Sequence, residues 1–228
     1  MKMILAGGGD AEQSNQIDAF FLEHLPKRKF LFIPHAIAPK LWTYERAFAW
    51  IQKPKAFEDV DIVMWKDLKG KTVDDLAVFD AIYLMGGNTF ELLYQLKESA
   101  FISLMRTFLE NGKIVYGISA GAYVLGKDIQ DRIPAEDEDK NKIGLRDLSA
   151  LNLLCGYNVH CHYLPEHNEQ LLEFVKKYQT PLIAIPERSG VYVDGANCLS
   201  LGYEPVYLYQ KGGERVVIEP NTQFFLTQ

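Results

Sequence analysis

The sequence predicts an α/β fold: a doubly wound, mostly parallel sheet flanked by helices, with antiparallel strands added in its C-terminal third. Two observations carry that expectation. Through the first two-thirds of the chain, short runs that are apolar at consecutive positions alternate with amphipathic stretches. Runs without polar alternation are buried on both faces, and a parallel sheet between helices is the ordinary way to bury them. Beyond about Gly156 the runs become β-branched and aromatic and are separated by Asp194-Gly195 and Gly212-Gly213, which are hairpin signals.

The elements follow in order. Met3 to Ala6 ends in Gly7-Gly8-Gly9, after which positions 17, 20, 21, 22 and 25 are apolar, giving strand, turn and helix. Phe30 to Ile33 stops at Pro34 and is followed by the aromatic-faced stretch Tyr44 to Ile51. Asp61 to Trp65 precedes a helix-like Thr72 to Phe79. Ala81 to Met85 meets Gly86-Gly87-Asn88-Thr89, and Phe90 to Leu96 returns to helical spacing. Lys113 to Ile118 is the fifth run, and Ser119 stands where it ends. Ile183 to Ile185, Val191 to Val193, Val206 to Leu208 and Val216 to Ile218 are expected to extend one edge of the sheet. The charge run Glu136-Asp137-Glu138-Asp139-Lys140 reads as a solvated loop.

Bulk properties narrow the function. A chain of 228 residues suits one domain over residues 1–228. Its formal charge of −6, with 24 Lys and Arg scattered and not clustered, disfavours nucleic acid as a partner. Three cysteines, Cys155, Cys161 and Cys198, are an odd number without CxxC spacing, which argues against a disulfide framework and a structural zinc and favours a reducing cytoplasm. The apolar run before the first glycines is about four residues, where a signal peptide needs roughly 7–15. No stretch approaches the roughly 18 apolar residues of a membrane span, so no membrane association is expected. The expected assembly is a monomer or small homo-oligomer.

The chemistry concentrates at Gly117-Ile118-Ser119-Ala120-Gly121, a GxSxG pattern set between a buried run and a helical stretch. A nucleophile elbow needs that context: small residues allow a sharp, strained turn that exposes the hydroxyl and points the next amides toward it. The amide of Ala120 is then placed to bind an oxyanion, and Gly87, with Asn88 beside it at the end of another predicted strand, offers a second donor or substrate contact. The alternative is a serine that merely caps the helix after it and, at Gly86-Gly87-Asn88-Thr89, an ordinary strand-to-helix turn capped by the Asn or Thr. Serine needs an imidazole to take its proton. His160-Cys161-His162 supplies two candidates; His35 follows a strand and can line a cleft, His24 reads as a surface residue, and His167 stands at a polar helix start. Two histidines on one strand face also suit a metal, but further ligands are not evident.

Together these residues resemble the peptidase S51 family, which holds the aspartyl dipeptidases and cyanophycinase on the class I glutamine amidotransferase-like fold. The likeness runs through Phe32-Ile33-Pro34, Gly86-Gly87-Asn88-Thr89-Phe90, Gly117 to Ala122, a histidine followed by an aromatic residue, and Ile185-Pro186-Glu187. The resemblance implies a serine hydrolase acting on short peptides or related amides, without a cofactor or metal. It implies Ser119 as nucleophile and His162 as general base, with His160 as the other candidate. It implies Glu187 as the group orienting the imidazole, with Asp131 as the alternative. Serine at the elbow departs from the glutamine amidotransferases, which carry cysteine there. Two departures from the S51 pattern concern the base and the substrate. Cys161 stands where a proline is expected, and residues 163–175 hold no Arg or Lys, where the aspartyl dipeptidases carry arginines. Charge for an acidic substrate would have to come from elsewhere, for instance Arg188 or Lys40. A cyanophycinase-like amide hydrolase and a non-catalytic ligand-binding protein are the competing readings.

Overall fold

The structure, a computed structural model, describes residues 1–37, 43–130 and 140–227. Five parallel strands carry the N-terminal part: β1 (Lys2–Ala6), β2 (Lys29–Ile33), β3 (Asp61–Met64), β4 (Ala81–Leu84) and β5 (Ile114–Ile118). They lie in the order β1-β5-β4-β2-β3. Every residue of β4 and β5 is buried, as their uninterrupted apolar sequences require.

Side chains alternate between two apolar layers. Ile4, Phe30, Phe32, Tyr83 and Tyr116 face α1 (Asn15–Leu22) and α2 (Tyr44–Ile51) through Ile17, Phe21, Ala47 and Ile51. Met3, Leu31, Ile82, Leu84 and Val115 face the opposite way. There they meet Leu76 of α3 (Val73–Leu76), Leu92 and Leu96 of α4 (Thr89–Glu98), and Met105 and Phe108 of α5 (Phe101–Glu110). Helices following β1 and β2 thus cover one face, and those following β3 and β4 the other. In such sheets ligands collect at the carboxyl ends of the strands where the winding changes face.

The C-terminal strands do not all extend one edge. Strands β8 (Ser189–Asp194), β9 (Asn197–Gly202) and β12 (Gln223–Phe225) do so, with β8 antiparallel to β1. Strands β6 (Asn158–Cys161), β7 (Leu182–Ile185), β10 (Val206–Tyr209) and β11 (Arg215–Ile218) form a second sheet, in which β6 and β7 are parallel. Two breaks explain the division. Pro186 ends β7 and sends the chain across to the first sheet. Gly202, at φ 93°, turns it back: a Cβ there would stand 2.3 Å from the Arg188 carbonyl oxygen. One face of the second sheet joins the core through Val159, Ile183 and Leu208. The other is covered by Leu171 and Val175 of α7 (Asn168–Tyr178).

The carboxyl of Asp18 is buried in the layer under α1. Asp18 accepts hydrogen bonds from Ser14 Oγ at 2.8 Å and from the Tyr116 hydroxyl at 3.0 Å, and Tyr83 stacks on Tyr116 at 4.5 Å. Burial outweighs both bonds and pushes the carboxyl from 3.8 up to about 6. The folded chain therefore holds this proton at pH values where the unfolded chain has released it. The resulting stabilisation is complete below about pH 4 and disappears as pH rises through about 6. It amounts to about 3 kcal/mol, of which roughly half is lost between pH 5 and 8. Asp18→Asn, which keeps the shape of the protonated acid, is expected to flatten that dependence in urea unfolding at the two pH values. An unchanged slope in the variant would show that Asp18 is not its source.

Candidate active site

The site is assembled where β1, β5, β6 and β7 end. Ser119 follows β5 directly and is held at φ 51°, ψ −113°, a region that costs a non-glycine residue about 1–3 kcal/mol. Its neighbours make the turn possible. A Cβ on Gly117 would lie 2.3 Å from the Gly121 carbonyl oxygen, and one on Gly121 would lie 2.2 Å from that of Leu84. The backbone is pinned on both sides of the turn. Ser119 N–H donates to the Ala6 carbonyl at 3.0 Å, and the Ser119 carbonyl accepts from Ala122 and Tyr123 N–H. The single-turn helix α6 (Ala120–Tyr123) begins here, and the serine hydroxyl does not cap it.

Instead, Ser119 Oγ lies 2.8 Å from His162 Nε2. His162 is the first residue beyond β6 and takes a left-handed conformation, φ 53°, with its N–H donating to the Gly7 carbonyl at 3.1 Å. Its Nδ1 is 3.0 Å from Glu187 Oε1. The register Cys161↔Ile185 of β6 and β7 makes this meeting possible, because both strands release their next residues at the same end. An ionised carboxylate only accepts, so Nδ1 carries the imidazole proton and donates it to Glu187. Nε2 is then left to accept from the serine hydroxyl. The pair is open to water, with about half of each side chain exposed, 47% for His162 and 50% for Glu187.

The loop after β4 runs beside the hydroxyl: a Cβ on Gly86 would be 3.7 Å from Ser119 Oγ. Gly87, at φ 134°, leaves no room for a side chain against the Ala36 carbonyl oxygen, 2.3 Å from where its Cβ would be. Among the described residues, neither the Gly87 nor the Ala120 amide donates to a backbone carbonyl.

The other singled-out residues are placed elsewhere. Asn88 is buried and caps α4, accepting from Glu91 N–H at 2.9 Å while its own amide donates to the Lys140 carbonyl. His160 does not reach Ser119. It is buried within β6, with Nε2 3.1 Å from His167 Nδ1 and Nδ1 3.5 Å from the Tyr123 hydroxyl. The expectation that His160 and His162 share a face fails because the strand ends at Cys161 and His162 has left the pleat. Among the described residues, no group of three or more His, Cys, Asp or Glu could hold a metal ion. His35 is buried, and that burial lowers its pKa below the usual imidazole value. His24 is half-buried beside Phe20 and Tyr192. Arg188 is exposed, with its guanidinium 4.7 Å from the Tyr203 ring centre. Asp131, Lys40 and the acidic residues 136–139 lie outside the described residues. Cys155, Cys161 and Cys198 form no disulfide among the described residues, and no helix among them is long and apolar enough to cross a membrane.

The carbonyls of Ala6 and Gly7, which hold the elbow and the imidazole-bearing residue, were not singled out by the sequence. The glycine triplet was the available signal. Without knowing that β1 lies between β5 and β8, nothing assigns it to this site.

The model of Peptidase family S51 matches residues 3–201. Peptidase E of Shewanella sp. (strain ANA-3) is 34% identical over 140 residues, 57% of this chain; the chain spans 57% of the length of that relative. Peptidase E of Shewanella denitrificans is 30% identical over 195 residues, covering 80% of this chain and 78% of that protein. The crystal structure of a peptidase from an acI-B1 Actinobacterium superposes with a TM-score of 0.68 over 98% of this chain and 96% of its own, at 18% identity, a likeness of fold. The family match covers most of the chain, and on that ground this chain belongs to peptidase family S51.

Proposed function

We propose that this chain is a serine-type peptidase that cleaves short peptides or related amides through an acyl-enzyme on Ser119. The observation that carries the reading is the 2.8 Å contact between His162 Nε2 and a serine oxygen on a strained turn. In the first step His162 Nε2 takes the hydroxyl proton as Oγ bonds to the substrate carbonyl carbon, and the C=O π electrons move to oxygen. The Gly87 and Ala120 amides, which donate to no backbone carbonyl among the described residues, are the candidate donors to that oxyanion, and each such donor is typically worth about 100- to 1,000-fold in rate. Collapse of the tetrahedral intermediate breaks the C–N bond, and His162 returns the proton to the leaving amine. Water then repeats the sequence on the ester and frees Ser119.

The substrate need not begin with aspartate. Residues 163–175 contain no Arg or Lys, and a carboxylate taken out of water without a cationic partner is costly. Broad cleavage across Asp-X, other dipeptides and β-aspartyl compounds is therefore expected; selective turnover of Asp-X alone would restore the narrow specificity. The mechanism is tested by exposure to a small fluorophosphonate followed by peptide mass mapping. One equivalent on Ser119 is expected, while an unmodified Ser119 would identify a binding protein without this chemistry.

A further inference from the structure

The chain leaving β1 touches every member of the proposed triad in turn. The Ala6 carbonyl accepts from Ser119 N–H, and the Gly7 carbonyl accepts from His162 N–H. Gly9, at φ 86°, lies against the Glu187 residue: a Cβ there would be 2.9 Å from the Glu187 carbonyl oxygen. Between them, Gly8 lies against the imidazole itself. At φ 141° its missing Cβ would stand 2.4 Å from His162 Cε1, 2.7 Å from Nδ1 and 3.3 Å from Nε2.

Cε1 is the ring atom between the two nitrogens that meet Ser119 and Glu187. With no room for even a methyl on that edge, the backbone at Gly8 bounds a side chain that is otherwise half open to solvent. The ring is rigid and moves only about its two side-chain torsions, so a rotation that cleared a methyl from Cε1 would carry both nitrogens away from their partners.

We infer that Gly8 is a positioning residue for the His162 imidazole, an inference that rests on the hydrolase reading above. Glycine is required at this position by the ring it faces as well as by its backbone angle. Gly8→Ala is expected to lower kcat for p-nitrophenyl acetate, and the fluorophosphonate labelling rate, by about 100-fold with KM changed less than about twofold, the scale of a misplacement near 1 Å. Gly112 has φ 76° and open space where its Cβ would be, so Gly112→Ala imposes a left-handed strain without the clash and should leave both rates unchanged.

The decisive comparison is a double-mutant cycle. If Gly8 acts through the ring, adding Gly8→Ala to His162→Ala should cost less than about twofold, because nothing remains to be positioned. Wild-type rates in Gly8→Ala, or the same loss in both backgrounds, would overturn the inference. In the unaltered protein, a nuclear Overhauser effect between His162 Hε1 and the Gly8 α protons is expected, and its absence would overturn it even if the variant failed to fold. The outcomes separate the two readings. A Ser119→Ala variant that kept its activity would remove the hydrolase reading, whereas an inactive Ser119→Ala with an additive cycle would remove only the role of Gly8.

Discussion

Ser119→Ala should lower turnover by about 10⁶-fold while leaving the cooperative unfolding transition within about 1 kcal/mol of wild type. The first figure is the scale seen when a triad nucleophile is deleted. The second follows from what the hydroxyl does in the fold, which is little: it caps no helix, and its recorded hydrogen bond is to a half-exposed imidazole. Alanine keeps the positive φ and its strain. Ser119→Gly, in contrast, should be equally inactive and more stable than wild type, because glycine accepts φ 51° without the side-chain penalty. Relief of about 1–3 kcal/mol, less roughly 0.5–1 kcal/mol for glycine's greater unfolded-state entropy, leaves a net gain on the order of 1 kcal/mol. Activity and stability are thus predicted to move in opposite directions at one residue, as expected where strain serves the chemistry. Urea unfolding and steady-state turnover on the same preparations check both. A Ser119→Ala protein that retained activity would sink the nucleophile assignment, and a destabilised Ser119→Gly would remove the strain argument.

Much of this was legible in the residues, for physical reasons. Burial on both faces leaves no polar position in a strand, so β4 and β5 announce themselves, and the glycines around Ser119 are dictated by neighbouring backbone oxygens that would stand 2.2–2.3 Å from any Cβ placed there. Other features depend on topology, which short-range pattern does not encode. The histidine pair looked alike in sequence. Only the end of β6 at Cys161, fixed by its pairing with β7, separates a buried His160 from an imidazole that swings to the serine. Asn88 illustrates the ambiguity of a polar residue after a strand. The same carboxamide suits a substrate or a helix N-terminus, and the Glu91 amide three residues on is what it binds. The division of the C-terminal strands was illegible for a similar reason. Hairpin signals fix local reversal, whereas the choice of sheet is made by Pro186 and by the close approach of Gly202 to Arg188.

His162→Ala should approach Ser119→Ala in severity, on the order of 10⁴- to 10⁶-fold, whereas His160→Ala should keep the proposed nucleophile and base in place. The reason is geometric: His160 Nε2 and Nδ1 face His167 and Tyr123, so no imidazole other than His162 is within hydrogen-bonding distance of Ser119 Oγ among the described residues. Glu187→Gln tests the remaining member and separates two views of the site. In a buried triad, replacing the acid by its amide costs about 10⁴-fold, because the amide favours the wrong imidazole tautomer and leaves the imidazolium unsupported. Here both partners are about half exposed, 47% and 50%, so water can accept from Nδ1 and screens the ion pair that forms during the reaction. The expected loss is accordingly smaller, about 10- to 100-fold. Single-turnover rates for the three variants rank the contributions directly. Should Glu187→Gln prove as damaging as His162→Ala, the reacting site must exclude water from the imidazole–carboxylate pair, and substrate binding would have to bury it.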